Sequence, residues 1–468
     1  MDFRTTTPAA LAARVRAGEL SARELTEAAL ARIDELNPSV NAFVAVDGEQ
    51  ALREAAAVDD TIARGGDAGP LAGVPIGVKD LEDASGFATS HGSPLFAGAK
   101  PAAADSPLVA RLRAAGCVVV GKTNTPEYGW TSNTDNALFG QTHNPWNLDH
   151  SPGGSSGGTA AALASGMVPL ATGSDGGGSI RIPASCCGLS GFKPSLGRVP
   201  AGGMDPAGWI DFSTKGPMTR RMADLVPLLD VAIGPDPTDL RSLPAPGASW
   251  NDLVSAEALP RRVAWSPTLG YAPLDDEVLA LCEGALRTLE SLGVEVVPVD
   301  SVFTVDPLEG WMRLTNVCLL RSMQDYRDDP AWEKVHPVLA SLVERARSVT
   351  ALDVVDVFDE CHRMNLRLVE LFETADLLVT PTVAGLPPAI AGGGIGLING
   401  KANANWVRFT YPFNMTRSPA ATLCAGLAPG GLPVGLQLVG PQHRDALVLR
   451  TAVALEDAIG FTQLAPTG

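Results

Sequence analysis

Short apolar runs of strand length recur along this chain, most of them parted from the next by a stretch of helical periodicity, and that alternation constrains the fold more than any other feature. The runs are GVPIGVKD (73–80), CVVVG (117–121), MVPLAT (167–172), RRVAWS (261–266), VEVVPV (294–299), LLVTPT (377–382) and GLPVGLQLVG (431–440). Between them, Ser106-Pro107 opens an amphipathic helix that Gly116 closes, 276–292 and 445–459 read as helices, and 307–375 is mostly helical. Nearer the start, Thr7-Pro8 caps a helix that Gly18 ends, and Ser21 with Glu24 forms a capping box for a second that stops at Asn37-Pro38. The expected fold is α/β, with a central mixed β-sheet covered by helices on both faces. With 468 residues, 45% of them hydrophobic, the chain is expected to form one domain over 1–468. Its parts would be a helical stretch 1–65, a core 71–200, and a remainder 201–468 that includes the helical segment near 307–375.

Charge narrows the partners. A formal net charge of −17 argues against nucleic acid and anionic membranes, since a grip on phosphates needs clustered Lys and Arg. A neutral or cationic small molecule fits better. Seven cysteines without C-x-x-C spacing suit reduced thiols in a cytoplasmic protein and leave zinc without an obvious home, and the six histidines are equally scattered. No apolar stretch approaches the roughly 20 residues of a membrane span, and the N-terminus lacks a signal-peptide pattern.

Three motif matches compete. GCVVVGKT (116–123) satisfies the phosphate-loop pattern letter for letter, but that motif needs a strand before it, a glycine-rich loop within it and a helix after it. Here Gly116 ends a helix, CVVV forms strand, and Thr125-Pro126 stands where a helix should run. GGSSG (153–157) fits a nucleophile elbow centred on Ser155, yet HNPWNLDHSP (143–152) before it reads as loop rather than strand. The third is a constellation of Lys79 at a strand end, GGSSGG (153–158) and GSDGGGSIR (173–181). There MVPLAT leads into glycines whose unhindered N–H groups can converge beside the Ser179 hydroxyl, ahead of a short helix through IPASCC (182–187). Such donors stabilise a developing oxyanion, each worth about 3 to 4 kcal/mol of barrier. A lysine can serve as base to a serine only when neutral, and burial beside Val74, Ile76 and Val78 would favour that form. The residues alone leave a surface Lys79–Asp80 pair equally open, and turn chemistry for both Gly/Ser clusters.

Taken together these strings resemble the amidase signature family. The similarity is densest from Gly73 to Pro200, through KTNTPEYGW (122–130), LFGQTHNPW (138–146), SPGGSSGG (151–158) and SDGGGSIRIPASCCGLSGFKPS (174–195). The resemblance implies Ser179 as nucleophile, Ser155 on a cis peptide after Gly154 as proton bridge, and Lys79 as general base. It also implies the N–H groups of Gly176, Gly177, Gly178 and Ser179 as an oxyanion hole, supported by Ser156, Ser174, Asp175 and Arg181. Where Gly176 stands many members carry a β-branched residue, so a looser wall beside the carbonyl is expected. The implied reaction is acylation of Ser179 with loss of amine, then hydrolysis, and it implies that no metal and no cofactor are required.

For the substrate pocket the resemblance points to Tyr128, Gly129, Trp130 and Thr131, with contributions from 311–320 and 405–415. Aromatic side chains there would favour aryl or extended apolar groups. The expected substrate is a small amide or carbamate (urethane), with an aryl acylamidase or a urethanase among the possibilities, and the protein a monomer or homodimer. The alternatives are the A subunit of a glutamine-dependent tRNA amidotransferase, and a catalytically silent binding protein on the same scaffold.

Overall fold

The computed structural model describes residues 1–203, 206 and 208–466. Its strands are Phe43–Val46 (β1), Pro75–Lys79 (β2), Val118–Thr123 (β3), Leu170–Asp175 (β4), Gly191–Lys193 (β5), Thr214–Met218 (β6), Arg262–Trp265 (β7), Glu295–Pro298 (β8), Leu377–Pro381 (β9), Gly396–Ile398 (β10), Lys401–Asn403 (β11), Ala420–Leu427 (β12) and Pro433–Val439 (β13). Each apolar run of the sequence supplies one of them. β1, β5, β6, β10, β11 and β12 were not legible in this way, being very short or interrupted by Gly, Pro or polar residues.

The strands form a mixed five-stranded sheet, β1-β3-β2-β4-β6, and a mixed six-stranded sheet, β5-β12-β13-β9-β7-β8, with β10 and β11 as a separate ribbon. The one central sheet expected from the sequence is thus two ladders, which meet at a lone bridge between Ser190 and Thr219. Every residue of β2, β3, β9 and β13 is buried. Successive side chains on a strand point to opposite faces, so both faces of these strands are covered. The helix Gly157–Ala164 is also buried on all sides, which its run of Gly and Ala permits.

Helix boundaries follow local chemistry. Thr7 caps Pro8–Arg16, and the Ser21–Glu24 capping box opens Ala22–Val40. That second helix does not stop at Asn37-Pro38 but continues to Val40, with Pro38 in its last turn. Asn37 holds the exit: its carbonyl accepts from Asn41 N–H, and its side-chain oxygen accepts from the N–H groups of Ala42 and Phe43.

The topology places the chemistry. β3 and β4 both run parallel to β2, which lies between them. Lys79 ends β2, the loop 124–131 leaves β3, and Gly176–Ser179 leaves β4, so all three emerge at the same carboxyl edge. Open α/β sheets bind ligands at that edge. The phosphate-loop match is absorbed by β3, a buried strand in which Gly121 and Lys122 pair with Gly77 and Val78. No helix of the described residues is long and apolar enough to cross a membrane.

Candidate active site

Lys79 is fully buried, and its Nζ donates to Ser155 Oγ at 2.8 Å and to Ser174 Oγ at 3.1 Å. Thr172 Oγ1 accepts from its backbone N–H at 3.0 Å, tying the end of β2 to β4. The surface Lys79–Asp80 pair is absent. Asp80 turns the other way, as alternation along an extended chain requires, accepting from Ser90 and facing Lys122 Nζ at 3.6 Å. Burial pulls the Lys79 ammonium down to about 7, against the opposing pull of the Glu82 and Asp175 carboxylates. A substantial neutral fraction at neutral pH follows, and a neutral amine can accept a proton from a hydroxyl.

Ser155 follows Gly154 across a cis peptide bond. It lies in a loop leading into helix Gly157–Ala164, without a strand before it, so the nucleophile-elbow geometry is missing. The next residue, Ser156, donates its N–H to Ser179 O at 3.2 Å, which brings the Ser155 and Ser179 segments side by side. Ser156 Oγ donates to Ser174 O at 3.4 Å. Ser179 itself is 9% exposed.

The glycines after β4 are held from several directions. Asp175 Oδ1 accepts Gly178 N–H at 2.8 Å, and Oδ2 accepts more weakly from Ile180 and Arg181 N–H. Gly178 therefore has its donor engaged within the chain and is not a free oxyanion donor as the resemblance implied. Among the described residues, the N–H groups of Gly176, Gly177 and Ser179 have no acceptor in the chain. Asp175 is gripped by Arg181 through Nε and Nη2 at 2.9 and 2.8 Å, and by Asn414 Nδ2 at 2.9 Å. Burial alone would raise this carboxyl, but Arg181 and the bonds to it outweigh burial and hold it at about 2. Arg181 also donates to Gln437, Asn414 and the Thr410 carbonyl, so the rear of the site is a closed network of buried polar groups.

An aromatic wall stands beside the glycines. Trp130 stacks on Trp311 with centroids 5.5 Å apart, and Trp209 meets both edge-on. A Cβ at Gly176 would come within 2.4 Å of Trp209. The wall at this position is therefore not looser: the Trp209 ring fills the space a side chain would take, and glycine is what admits it. Of the four pocket candidates, Gly129 lies against the Ser155 side chain, since a Cβ there would sit 3.1 Å from Ser155 Oγ. Tyr128 stacks on His91 and packs on the cluster of Leu319, Met323 and Leu339. Thr131 is exposed, and its hydroxyl donates to Asn133 O in a local turn. The later segments contribute Trp311, Thr410, Tyr411 and Asn414. Trp209, Gln437 and Thr172 escaped sequence reasoning: Trp209 lies outside any motif, Thr172 and Gln437 lie within runs read only as strands, and all three reach the site through tertiary packing. Among the described residues no cluster of His, Cys, Asp and Glu could hold a metal.

Known proteins resemble this chain over nearly its whole length. The family model described as Amidase matches residues 24–449. An acylamidase of Rhodococcus erythropolis is 39% identical over 95% of this chain and 94% of its own length. The A subunit of the glutamyl-tRNA(Gln) amidotransferase of Salinispora arenicola is 35% identical over 98% of each chain. The crystal structure of a bacterial aryl acylamidase superposes with a TM-score of 0.90 at 29% identity, covering 97% of this chain and 96% of that one. The chain belongs to the amidase signature family and is a hydrolase acting on carbon–nitrogen bonds.

Proposed function

We propose that this protein hydrolyses small aryl or extended apolar amides, and carbamates with the same groups, through an acyl-enzyme on Ser179. The observation that carries this reading is the buried Lys79 ammonium within 2.8 Å of Ser155 Oγ, with hydroxyls rather than a carboxylate as its hydrogen-bond partners. Neutral Lys79 takes the Ser155 proton as Ser155 takes that of Ser179. Ser179 Oγ attacks the carbonyl, and the free N–H groups of Gly176, Gly177 and Ser179 receive the oxyanion. The relay returns the proton to the departing amine, and water then attacks the ester by the same path. Asp175 and Arg181 hold the glycine segment, while Ser156 and Ser174 fix the relay.

The Trp130, Trp209 and Trp311 wall supports an aryl or apolar group on the substrate, because such rings bind flat apolar faces. A carbamate presents the same carbonyl to Ser179. The amidotransferase reading draws on the Salinispora relative and would use the same relay on glutamine; the aromatic wall and the charge of −17 favour a stand-alone enzyme. The test is amine release by the purified chain from a panel of aryl amides, aliphatic amides and aryl carbamates, beside Ser179→Ala. Release from aryl substrates that the variant abolishes is the expected result. A folded wild type silent on the whole panel would sink the stand-alone reading in favour of a missing partner or a binding role.

A further inference from the structure

The two peptide planes that follow Gly176 are pinned from outside the glycine segment. Trp311 Nε1–H donates to Gly176 O at 2.9 Å, and Thr410 Oγ1–H donates to Gly177 O at 2.6 Å. In a trans peptide the C=O of one residue and the N–H of the next point in opposite directions. Holding Gly177 O therefore fixes the direction of Gly178 N–H, and that group does end on Asp175 Oδ1. By the same geometry, holding Gly176 O turns Gly177 N–H away from Trp311 and leaves it without an acceptor in the chain. The indole ring closes the other side of this peptide, since a Cβ at Gly177 would come within 2.5 Å of it.

Trp311 is also the rear member of the aromatic wall. It is 9% exposed, whereas Trp130, stacked on it, and Trp209, edge-on to it, are both more open. A substrate ring reaching this wall would meet the more open Trp130 and Trp209 before Trp311. We propose that Trp311 is a positioning residue: its indole N–H sets the direction of the Gly177 oxyanion donor, and its ring joins that donor to the wall that selects the substrate. The inference rests on the oxyanion-hole reading given above.

Trp311→Phe keeps a ring and removes the N–H, so the experiment compares wild type, Trp311→Phe and Ser179→Ala on one aryl and one short aliphatic amide. Loss of one neutral orienting bond should lower kcat about tenfold on both substrates, with KM changed less than about twofold. The acid limb of the pH profile should stay where it is, because Lys79 is untouched. On the thioamide analogue of the aryl substrate, whose sulfur accepts hydrogen bonds poorly, the same variant should lose less, so the amide-to-thioamide rate ratio should fall. A wild-type kcat in Trp311→Phe, or a change confined to KM, overturns the inference while leaving the Ser179 reading intact. Activity retained in Ser179→Ala overturns the reading itself. Should Trp311→Phe fail to fold, benzothienylalanine at position 311 keeps the shape of the indole, puts sulfur in place of its N–H and is expected to lower kcat in the same way; unchanged kcat there overturns the inference.

Discussion

Two lysines on neighbouring strands of one sheet show how surroundings decide what a buried ammonium does. Lys79 ends β2 and Lys122 lies on β3, paired in register with Val78; both are wholly buried. Lys79 meets the hydroxyls of Ser155 and Ser174, whereas Lys122 meets Asp80 at 3.6 Å, Thr89 Oγ1 at 2.9 Å and the Glu82 carbonyl. Burial depresses both, and for Lys122 the Asp80, Asp83 and Glu82 carboxylates oppose it. One lysine is thereby available as a base and the other completes a buried ion pair. On the proposed mechanism the same residue type, one strand apart, serves chemistry in one place and stability in the other.

The largest effect that would break this contrast comes from exchanging the roles by mutation. Lys79→Met should lower kcat/KM by roughly 10²- to 10⁴-fold, the usual worth of a general base, in a protein that stays folded. Lys122→Met should instead destabilise by about 3 to 5 kcal/mol in denaturant unfolding, because it leaves Asp80 buried without its cation, while turnover per folded molecule is largely kept. The reverse pattern would mean that the two lysines have been assigned the wrong way round.

A smaller effect sharpens the comparison through pH. The folded Lys79 titrates near 7 and the unfolded one near 10.5, so between those values the unfolded chain holds a proton that the folded chain lacks. Wild-type stability therefore rises with pH across that window, and the full penalty stands below about 7. Relative to wild type, Lys79→Met should be most favoured below pH 7, by about 5 kcal/mol at most, with the advantage shrinking towards pH 10.5. Thermal melts of both proteins at several pH values check this, and an advantage independent of pH would contradict it.

The smallest effect concerns Glu82, whose carboxylate pulls the Lys79 titration upward while pairing with Lys215 at 2.9 Å. Glu82→Gln removes that pull, so the acid limb of kcat/KM should move to lower pH, with the plateau rate little changed. An unmoved limb would show that Asp175 dominates, and a limb that moved to higher pH would contradict the assignment of the limb to Lys79.

Much of this was legible in the sequence because the informative residues are contiguous. The strand end at Lys79, the glycines after β4 and the Ser21–Glu24 cap each declare themselves within a few residues. The environment of Lys79 was not legible, since Asp80 is its neighbour in sequence and turns towards Lys122 only because the chain is extended there. Nor was the Gly176 wall: glycine read as open space, whereas Trp209, far along the chain, fills it. The engaged N–H of Gly178 likewise depends on where Asp175 Oδ1 lies, which spacing does not specify. The weak strands were missed for the same reason, as the short β5 becomes a strand only by pairing with β12, which itself lies between β5 and β13.

The central claim is that a neutral Lys79 drives acylation of Ser179 through Ser155. Its most direct test is the rate of labelling by a fluorophosphonate from about pH 5 to about pH 10, in wild type and Lys79→Met, with the modified residue identified by peptide mapping. The account predicts modification of Ser179, a wild-type rate that rises through a single ionisation near 7, and a slow, flat profile in the variant. Labelling on Ser155, or a limb near 7 that survives in Lys79→Met, would contradict it.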